Sequence, residues 1–420
     1  MRVAILVEAL LNRGGADRVV LIQTLHYDAD IYTAAYDGER TYPEFKQLRI
    51  HTIVKGNIRG INHLRVRRAF AKLRLSDYDV VIAHNSSCLE AAPHHHPFIW
   101  YCHAPSRWSH DLYQDELRKK HALLRVPFAI ICQLLRKRDA RNITHVDAIA
   151  TNSHNVKQRL QRYYPVHPIV IYPPIDTSRF KWLGQSDFYL STARLDPIKR
   201  VDLVVESFKH LPDRNVVIVG TGPDEQRLRT LARGHSNIRF TGSVTNEQLA
   251  RLYGTCLALL TPSYKEDFGM VPLEANSAGK PVIATKDGGY LETVIPGKTG
   301  ILLEEPLTPD AIIDAITTLT PARARTMRIA CEQNAKRYSI ERFNKEMDEF
   351  IDRVLAPSRP ALAPMQKRGP SSVPTSPHPP PLSPSARPRT STSTMRCRTY
   401  QAGSRQGRTR NLRDSPKRTS

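Results

Sequence analysis

Two glutamates eight residues apart, Glu266 and Glu274, bracket the stretch of this 420-residue chain in which ligand chemistry is easiest to recognise. The stretch breaks at Gly269 and then turns apolar, which predicts a loop that ends there and opens a helix. Both carboxylates can then face a pocket at the helix N-terminus, where free backbone N–H groups and the helix dipole favour an anion. An ordinary helix start with favourable acidic residues is the alternative interpretation.

Two cations form a second candidate group earlier in the same half of the chain. Arg194 follows a strand predicted over 187–192, and Lys199 precedes a helix predicted from about Val201. Side chains at a strand end and at a nearby helix start can converge on one anion, and paired cations suit a diphosphate. The alternative is a pair of surface cations near a helix end.

Two segments of the N-terminal half also carry residue types found at ligand sites. Gly14 and Gly15 connect a buried strand at 2–7 to a helix, and such a turn presents backbone N–H groups to an anion. An ordinary tight turn remains the alternative, and the G-x-G-x-x-G dinucleotide fingerprint is missing. His103 follows a strand at 98–102, which places it at the ligand edge of an α/β sheet.

The spacing of Glu266 and Glu274 resembles the E-x7-E signature of retaining glycosyltransferases of the GT-B fold, family GT4. The resemblance implies that Glu266 holds hydroxyls of the donor sugar and that Glu274 holds the ribose of the nucleotide. Arg194 and Lys199 match the R-x4-K element of the family, which binds the donor diphosphate. The resemblance also implies donor contacts at Gly14, Gly15, Val244, Phe268 and Gly269.

The segment YCHAPSRWSHDLY (101–113) looks like the H-x-P-x-R segment of mannosyltransferases in this family. By that resemblance, His103 faces the donor sugar and Arg107 lines the acceptor side. The implied reaction moves a hexose, expected to be mannose from GDP-mannose, to a saccharide or lipid-linked acceptor without a metal or cofactor. A UDP-sugar-dependent transferase and a non-catalytic sugar-nucleotide-binding protein remain alternatives.

The fold class expected from these patterns is α/β, with two Rossmann-like domains that face a cleft as in the GT-B fold. We predict an N-terminal acceptor domain over 1–172, a Pro-rich linker over 173–186 and a nucleotide-sugar domain over 187–340. A final helix at 341–355 is expected to cross back to the first domain. The remainder, 356–420, is rich in Pro, Ser and Arg and is expected to be disordered.

Charge is the most unusual property of the composition, because the formal net charge is +22. Residues 356–420 hold 13 of the 62 Lys and Arg residues, and the rest of the chain is still basic. Anionic partners are therefore expected, such as nucleotide phosphates or acidic lipid. Two basic and apolar stretches, 57–75 and 117–138, fit helices lying on an anionic membrane, or equally basic faces over ordinary core stripes.

Other features weigh against further classes of protein. The sequence lacks the roughly 20 successive apolar residues of a membrane span, and we expect no signal peptide because the first strand is predicted to begin at Met1. The six cysteines are scattered, so we expect a cytoplasmic protein, peripheral at most at a membrane, without zinc. We interpret Asp77 and Asp79 as strand-entry residues and His94–His96 as loop residues rather than metal ligands. Nucleic-acid binding is disfavoured because the body has no recognition motif.

Overall fold

The computed structural model describes residues 1–54 and 63–356. The tail predicted over 356–420 lies outside the described residues except for Ala356, and so do residues 57–62 of the first basic stretch. No helix in the two described ranges is both long and apolar enough to cross a bilayer.

The N-terminal sheet contains seven strands among the described residues, all parallel to their neighbours. The strands are β1 Val3–Val7, β2 Asp30–Thr33, β3 Ile50–Thr52, β4 Val80–Ala83, β5 Phe98–Cys102, β6 Ala148–Thr151 and β7 Ile169–Val170. Their spatial order is β3-β2-β1-β4-β5-β6-β7, so the direction of winding reverses between β1 and β4. Such a reversal opens a crevice at the carboxyl ends of the strands, where ligands of α/β proteins bind.

Helices of the N-terminal half differ in how they use their apolar residues. The helices are α1 Gly15–Tyr27, α2 His63–Lys72, α3 Tyr113–Lys119, α4 Ala122–Ile143 and α5 His154–Tyr163. In α2, Val66 and Phe70 are buried in the core, and Arg67 is buried beside them in ion pairs with Glu90 and Asp139. Large apolar residues of α4 are instead exposed to solvent: Leu123, Leu124, Val126, Ile130, Ile131 and Leu134.

The C-terminal sheet contains six parallel strands, in the spatial order β10-β9-β8-β11-β12-β13. They are β8 Phe188–Thr192, β9 Asn215–Val219, β10 Ile238–Gly242, β11 Ala258–Thr261, β12 Val282–Thr285 and β13 Gly300–Leu303. The accompanying helices are α6 Val201–Lys209, α7 Glu225–Leu231, α8 Asn246–Thr255, α9 Met270–Ser277, α10 Tyr290–Thr293, α11 Pro309–Thr318, α12 Pro321–Thr326 and α13 Arg328–Lys336. Two such sheets confirm the predicted pair of Rossmann-like domains.

The last described helix, α14 Ile340–Leu355, returns to the first domain. Its buried residues Phe343, Met347 and Ile351 follow a spacing of four, so they form one apolar face, and they belong to the core beneath the N-terminal sheet. The Tyr27 hydroxyl of α1 donates a hydrogen bond to Asp348 at 2.9 Å. The chain therefore connects the two domains twice, once before β8 and once at α14.

Candidate active site

The loop between β11 and α9 carries the first of the two glutamates. Lys199 Nζ donates a hydrogen bond to Glu266 Oε2 at 2.8 Å. Helix α9 begins directly after Gly269, whose φ of 89° lies in the left-handed region. A Cβ at Gly269 would approach the Tyr290 ring to 2.7 Å, so both the backbone conformation and the packing require glycine here.

The charge of Glu266 is set mainly by two opposing effects. Burial raises the pKa of Glu266, whereas the ion pair with Lys199, the charge of Arg107 and a hydrogen bond from Tyr290 lower it. The lowering effects prevail, and the pKa lies below its ordinary value. Glu266 is therefore a carboxylate at neutral pH, ready to accept hydrogen bonds from hydroxyl groups.

Glu274, inside α9, has a different environment. The Tyr253 hydroxyl donates to Glu274 Oε2 at 2.9 Å and also lies 2.8 Å from the Thr192 hydroxyl of β8. Burial raises the pKa of Glu274, and the hydrogen bond from Tyr253 and the charges of Arg179 and Arg18 only partly oppose it. The pKa of this carboxyl consequently lies above its ordinary value.

The Gly-rich turn of the N-terminal domain lies against α9 of the C-terminal domain. A Cβ at Gly15 would stand 2.7 Å from Met270 Sδ, so the turn and the start of α9 are in close contact. The Tyr42 hydroxyl donates to the Gly14 carbonyl at 3.3 Å, which holds the turn from its other side. The structure thus brings Gly14 and Gly15 near the helix that carries Glu274.

His103 lies just beyond β5 and shares a hydrogen bond with His84, with His84 Nδ1 2.9 Å from His103 Nε2. Burial lowers the pKa of His103 to about 4 and also lowers that of His84. Both imidazoles are therefore neutral at physiological pH, so one donates and the other accepts. The remaining ring nitrogen of His84 is buried without a partner among the described residues.

A cavity of about 230 Å³ opens beside these two histidines at the reversal point of the N-terminal sheet. Glu8, Asp17 and Asn85 also line it, so several polar groups converge in one space. Burial raises the pKa of Glu8, but hydrogen bonds from His63 and Ser87 reverse this and leave it below its ordinary value. Burial raises the pKa of Asp17 to about 6. Hydrogen-bonding groups of this kind match the hydroxyls of a sugar.

A single turn at the start of α5 connects the His103 segment with the Glu266 loop. Asn152 Nδ2 donates to the His103 carbonyl at 2.8 Å. Asn155 Nδ2 donates to the Glu266 carbonyl at 3.0 Å. The parts of the site that come from the two domains are therefore positioned by one short segment.

Arg194 and Val244 make their contacts with residues other than Lys199 and Glu266. The Arg194 side chain is 67% exposed and pairs with Asp196 at 3.0 Å, so it does not contact the Lys199–Glu266 pair. Val244 is half-buried and packs on the apolar core beneath β8 and β11. Of the four charged residues expected around one ligand, Lys199 and Glu266 are thus in direct contact in the structure.

Phe268 and Arg107 make contacts that the sequence did not predict. The Phe268 side chain is 3% exposed and stacks on Tyr172 in a small core. Arg107, expected on the acceptor side, contacts the Glu266 loop. Its Nη2 donates to the Lys265 carbonyl at 2.8 Å and its Nη1 lies 3.4 Å from Asp267, which ties the two domains together.

Comparison with protein families accounts for the joint presence of these features. Residues 3–179 match the model described as Glycosyltransferase Family 4, and residues 175–338 match the model described as Glycosyl transferases group 1. The two matches overlap at 175–179 and together include every site residue described above. The chain belongs to the family 4 glycosyltransferases. The resemblance inferred from the E-x7-E and R-x4-K elements is thereby confirmed.

Relatives of this glycosyltransferase include the alpha-1,3/1,6-mannosyltransferase ALG2 of Saccharomyces cerevisiae. The two are 26% identical over 439 residues, which cover 82% of this chain and 83% of the relative. An uncharacterised glycosyltransferase of Methanocaldococcus jannaschii is 29% identical over 198 residues, or 47% of this chain. That match spans about half, 55%, of the archaeal protein.

Among solved structures, HepE of Anabaena in complex with UDP and glucose superimposes on this glycosyltransferase with a TM-score of 0.65. The match covers 84% of this chain and 99% of HepE at 18% sequence identity. At this identity the likeness concerns the fold, which confirms the predicted GT-B architecture.

Several residues that shape the site of this glycosyltransferase were not predicted from its sequence. Tyr253 and Tyr290 hold the two glutamates, but in the sequence they resemble ordinary core aromatics. Asn155 and Arg159 contact the Glu266 loop from α5, in a helix whose basic residues suggest only a solvated face. The adjacency of Asp267 to Glu266 was visible in the sequence, but its partners were not.

Proposed function

We propose that this glycosyltransferase moves a mannosyl group from GDP-mannose to a hydroxyl of a saccharide or lipid-linked acceptor, with retention at the anomeric carbon. The observation that carries the proposal is the Lys199–Glu266 ion pair, which joins a cation suited to a diphosphate with a carboxylate suited to sugar hydroxyls. The mannosyltransferase ALG2 among the relatives and the segment at 101–113 support mannose as the sugar.

On the donor side, a diphosphate would compete with Glu266 for the ammonium of Lys199, and the exposed Arg194 would supply a second cation. The released Glu266 carboxylate would then accept hydrogen bonds from the sugar. Glu274 would anchor the ribose near Gly14 and Gly15. Lys199 and Arg194 would stabilise the negative charge that develops on the leaving nucleoside diphosphate, so the proposed mechanism needs no metal.

On the acceptor side, the cavity beside His84 and His103 is the proposed binding place for the sugar that receives the mannosyl group. Glu8 and Asp17 would accept hydrogen bonds from its hydroxyls, and the neutral imidazoles can both donate and accept. His103 lines this cavity, and its carbonyl accepts a hydrogen bond from Asn152, which belongs to the same turn as Asn155, the donor to the Glu266 carbonyl. This arrangement would place the accepting hydroxyl close to the anomeric carbon of the donor.

A donor screen tests the proposal. The purified protein is incubated separately with GDP-mannose, UDP-glucose and UDP-N-acetylglucosamine, and slow hydrolysis and thermal shift are measured. We expect the largest values of both with GDP-mannose. Preferential consumption of a UDP-sugar would instead favour the alternative donor class, to which UDP-bound HepE points. Binding of a sugar nucleotide without any consumption would indicate a non-catalytic binding protein.

Helix α4 supports a second part of the proposal, namely that the enzyme docks on an anionic membrane. Six large apolar side chains of α4 are exposed, and four of them follow a helical spacing along one face: Leu123, Val126, Ile130 and Leu134. Exposed cations flank them at Lys119, Arg125 and Lys137. An apolar helix face bordered by cations matches the chemistry of an acidic lipid surface.

Vesicle co-sedimentation tests the docking proposal. We expect binding to anionic vesicles that weakens with salt, and a large loss of binding in Ile130→Asp. The matched control is Ile329→Asp, which introduces the same charge at an apolar residue of similar exposure in the C-terminal domain. Absence of binding at low salt, or equal loss in both variants, would contradict a membrane role for α4.

A further inference from the structure

The loop that carries Glu266 is held by the other domain at three successive carbonyl groups. Arg107 Nη2 donates to the Lys265 carbonyl at 2.8 Å, and Asn155 Nδ2 donates to the Glu266 carbonyl at 3.0 Å. Ser153 Oγ donates to the Asp267 carbonyl at 2.8 Å. All three donors belong to the N-terminal domain, so the path of this C-terminal loop depends on a surface of the N-terminal domain.

Side chains reinforce this attachment through a four-residue ionic cluster, defined here as Arg107, Asp111, Arg159 and Asp267. Arg159 donates to Asp267 through Nη1 and to Asp111 Oδ1 through Nη2, the latter at 2.8 Å. Arg107 faces the same two carboxylates, at 3.3 Å and 3.4 Å. Two cations and two anions alternate, so the cluster is neutral overall. Because Asp267 follows Glu266 directly, the ionic cluster contacts the loop next to the proposed sugar-binding carboxylate.

The backbone of the loop adopts a conformation that such contacts must maintain. Lys265 has a φ of 51°, in the left-handed region that residues other than glycine seldom occupy. Its N–H donates to Asp287 at 2.8 Å, and the N–H of Tyr264 donates to the Ile198 carbonyl at 2.9 Å. A positive φ in a residue other than glycine persists when surrounding contacts hold the backbone in place, and here such contacts come from both domains.

We propose that Arg159 is a positioning residue, which holds the loop so that the Glu266 carboxylate meets Lys199 and, on the proposed function above, the donor sugar. Arg159 does not reach the reacting groups itself. It acts through Asp267, and its planar fork spans two carboxylates at once. A lysine at this position would keep the charge but could not span Asp111 and Asp267 with the same geometry.

Hydrogen–deuterium exchange tests the positioning role without any assay of activity. In Arg159→Met we expect faster exchange of the amides of Tyr264 and Lys265, whose hydrogen bonds depend on the loop conformation. The matched control is Arg49→Met, because Arg49 also bridges two aspartates, Asp28 and Asp30, but at the edge of the N-terminal sheet. Unchanged exchange of the loop in Arg159→Met would overturn the proposal.

Kinetics with the full-length protein test the consequence for catalysis. We expect kcat of Arg159→Met to fall by about 10²-fold, because a small displacement of a catalytic group has an effect of this order. Nucleotide affinity should be preserved, since Lys199 and Glu274 stay in place, and Arg159→Lys should recover part of kcat. A kcat of Arg159→Met equal to that of the control Arg49→Met would overturn the proposal.

A second variant covers the case in which Arg159→Met does not fold. Asp267→Asn keeps the size of the side chain and removes only its charge, so it should accelerate exchange of the same amides. A protein that consumes no nucleotide sugar at all would contradict the proposed function. The exchange data would still decide whether Arg159 positions the loop.

Discussion

Glu266 and Glu274 lie eight residues apart and each accepts a hydrogen bond from a buried tyrosine, yet their pKa values shift in opposite directions. Both carboxyls are withdrawn from water, which raises the pKa of each. Glu266 also has an ammonium group at 2.8 Å, and this brings its pKa below the ordinary value. Glu274 receives only a tyrosine hydroxyl and more distant cations, so its pKa stays raised.

The difference shows that spacing and residue type do not decide the charge of a site residue. Lys199 precedes Glu266 by 67 positions, and it reaches the carboxylate because β8 and β11 are neighbours in the sheet. The same topology places Tyr253 against Glu274 through Thr192, at the end of β8. Two similar acids therefore acquire different properties from neighbours that the fold supplies.

Removal of the Lys199 ammonium group should have the largest effect, since it is the partner of Glu266 and, in the proposed function, of the leaving diphosphate. We expect Lys199→Ala to lower kcat by about 10³-fold in a transfer assay. The control is Lys286→Ala, which removes an exposed lysine that pairs with Glu304 in the same domain. Near-normal turnover in Lys199→Ala would refute the assignment of this residue.

Changes at Glu274 should have a smaller effect that depends on which atoms remain. Glu274→Ala removes every acceptor, and we expect kcat/KM for the donor to fall by about 10²-fold. Glu274→Gln keeps one acceptor oxygen, so its loss should be about tenfold. If alanine and glutamine variants behaved alike in steady-state kinetics, hydrogen bonding by this side chain would not be the important property.

The opposite pKa shifts also predict which carboxyl governs the acidic side of the pH profile. Glu266 stays ionised because its pKa is lowered, whereas Glu274 takes up a proton earlier as pH falls, because its pKa is raised. Tyr253 lowers the pKa of Glu274, so Tyr253→Phe should raise it further. We therefore expect kcat/KM for the donor to begin its decline at higher pH in this variant.

A buried tyrosine elsewhere provides the control for that measurement. The Tyr189 hydroxyl donates to the Ile316 carbonyl in the C-terminal core. Tyr189→Phe should therefore leave the acidic limb where it is. A pH profile of Tyr253→Phe that coincided with that of Tyr189→Phe would show that Glu274 does not govern the decline.

The smallest expected effect concerns Tyr290, the tyrosine that donates a hydrogen bond to Glu266. Gly269→Ala would press a methyl group on Tyr290, which holds Glu266, in addition to the cost of its positive φ. Gly234→Ala has a nearly equal φ, 85° against 89°, but meets nothing within 4 Å. We expect the Tm of Gly269→Ala, measured by calorimetry, to be lower than that of Gly234→Ala by about 2–4 °C. Equal Tm values for the two variants would mean that the Tyr290 ring moves aside without loss of stability.

Much of the fold and part of the site could be predicted from local patterns. Apolar runs such as 3–7 and 258–261 are buried strands, and glycines at 14, 15 and 269 mark the turns that precede helices. The glutamates and Lys199 were recognisable because their spacings match the E-x7-E and R-x4-K elements of the family. Arg194 and Phe268 show the limit of this reasoning, since local patterns indicated neither the pairing of Arg194 with Asp196 nor the burial of the Phe268 side chain.

Local sequence patterns were sufficient for the alternation of strands and helices, the two-domain plan and a list of candidate site residues. These depend on neighbours within a few positions along the chain. Three contacts followed only from the tertiary structure. Lys199 forms an ion pair with Glu266, Tyr253 donates a hydrogen bond to Glu274, and Arg159 of the other domain forms an ion pair with Asp267 in the Glu266 loop. Such contacts join positions far apart in the chain, and burial and ion pairing fall off within a few ångströms, so only the folded arrangement of the sheets could assign them.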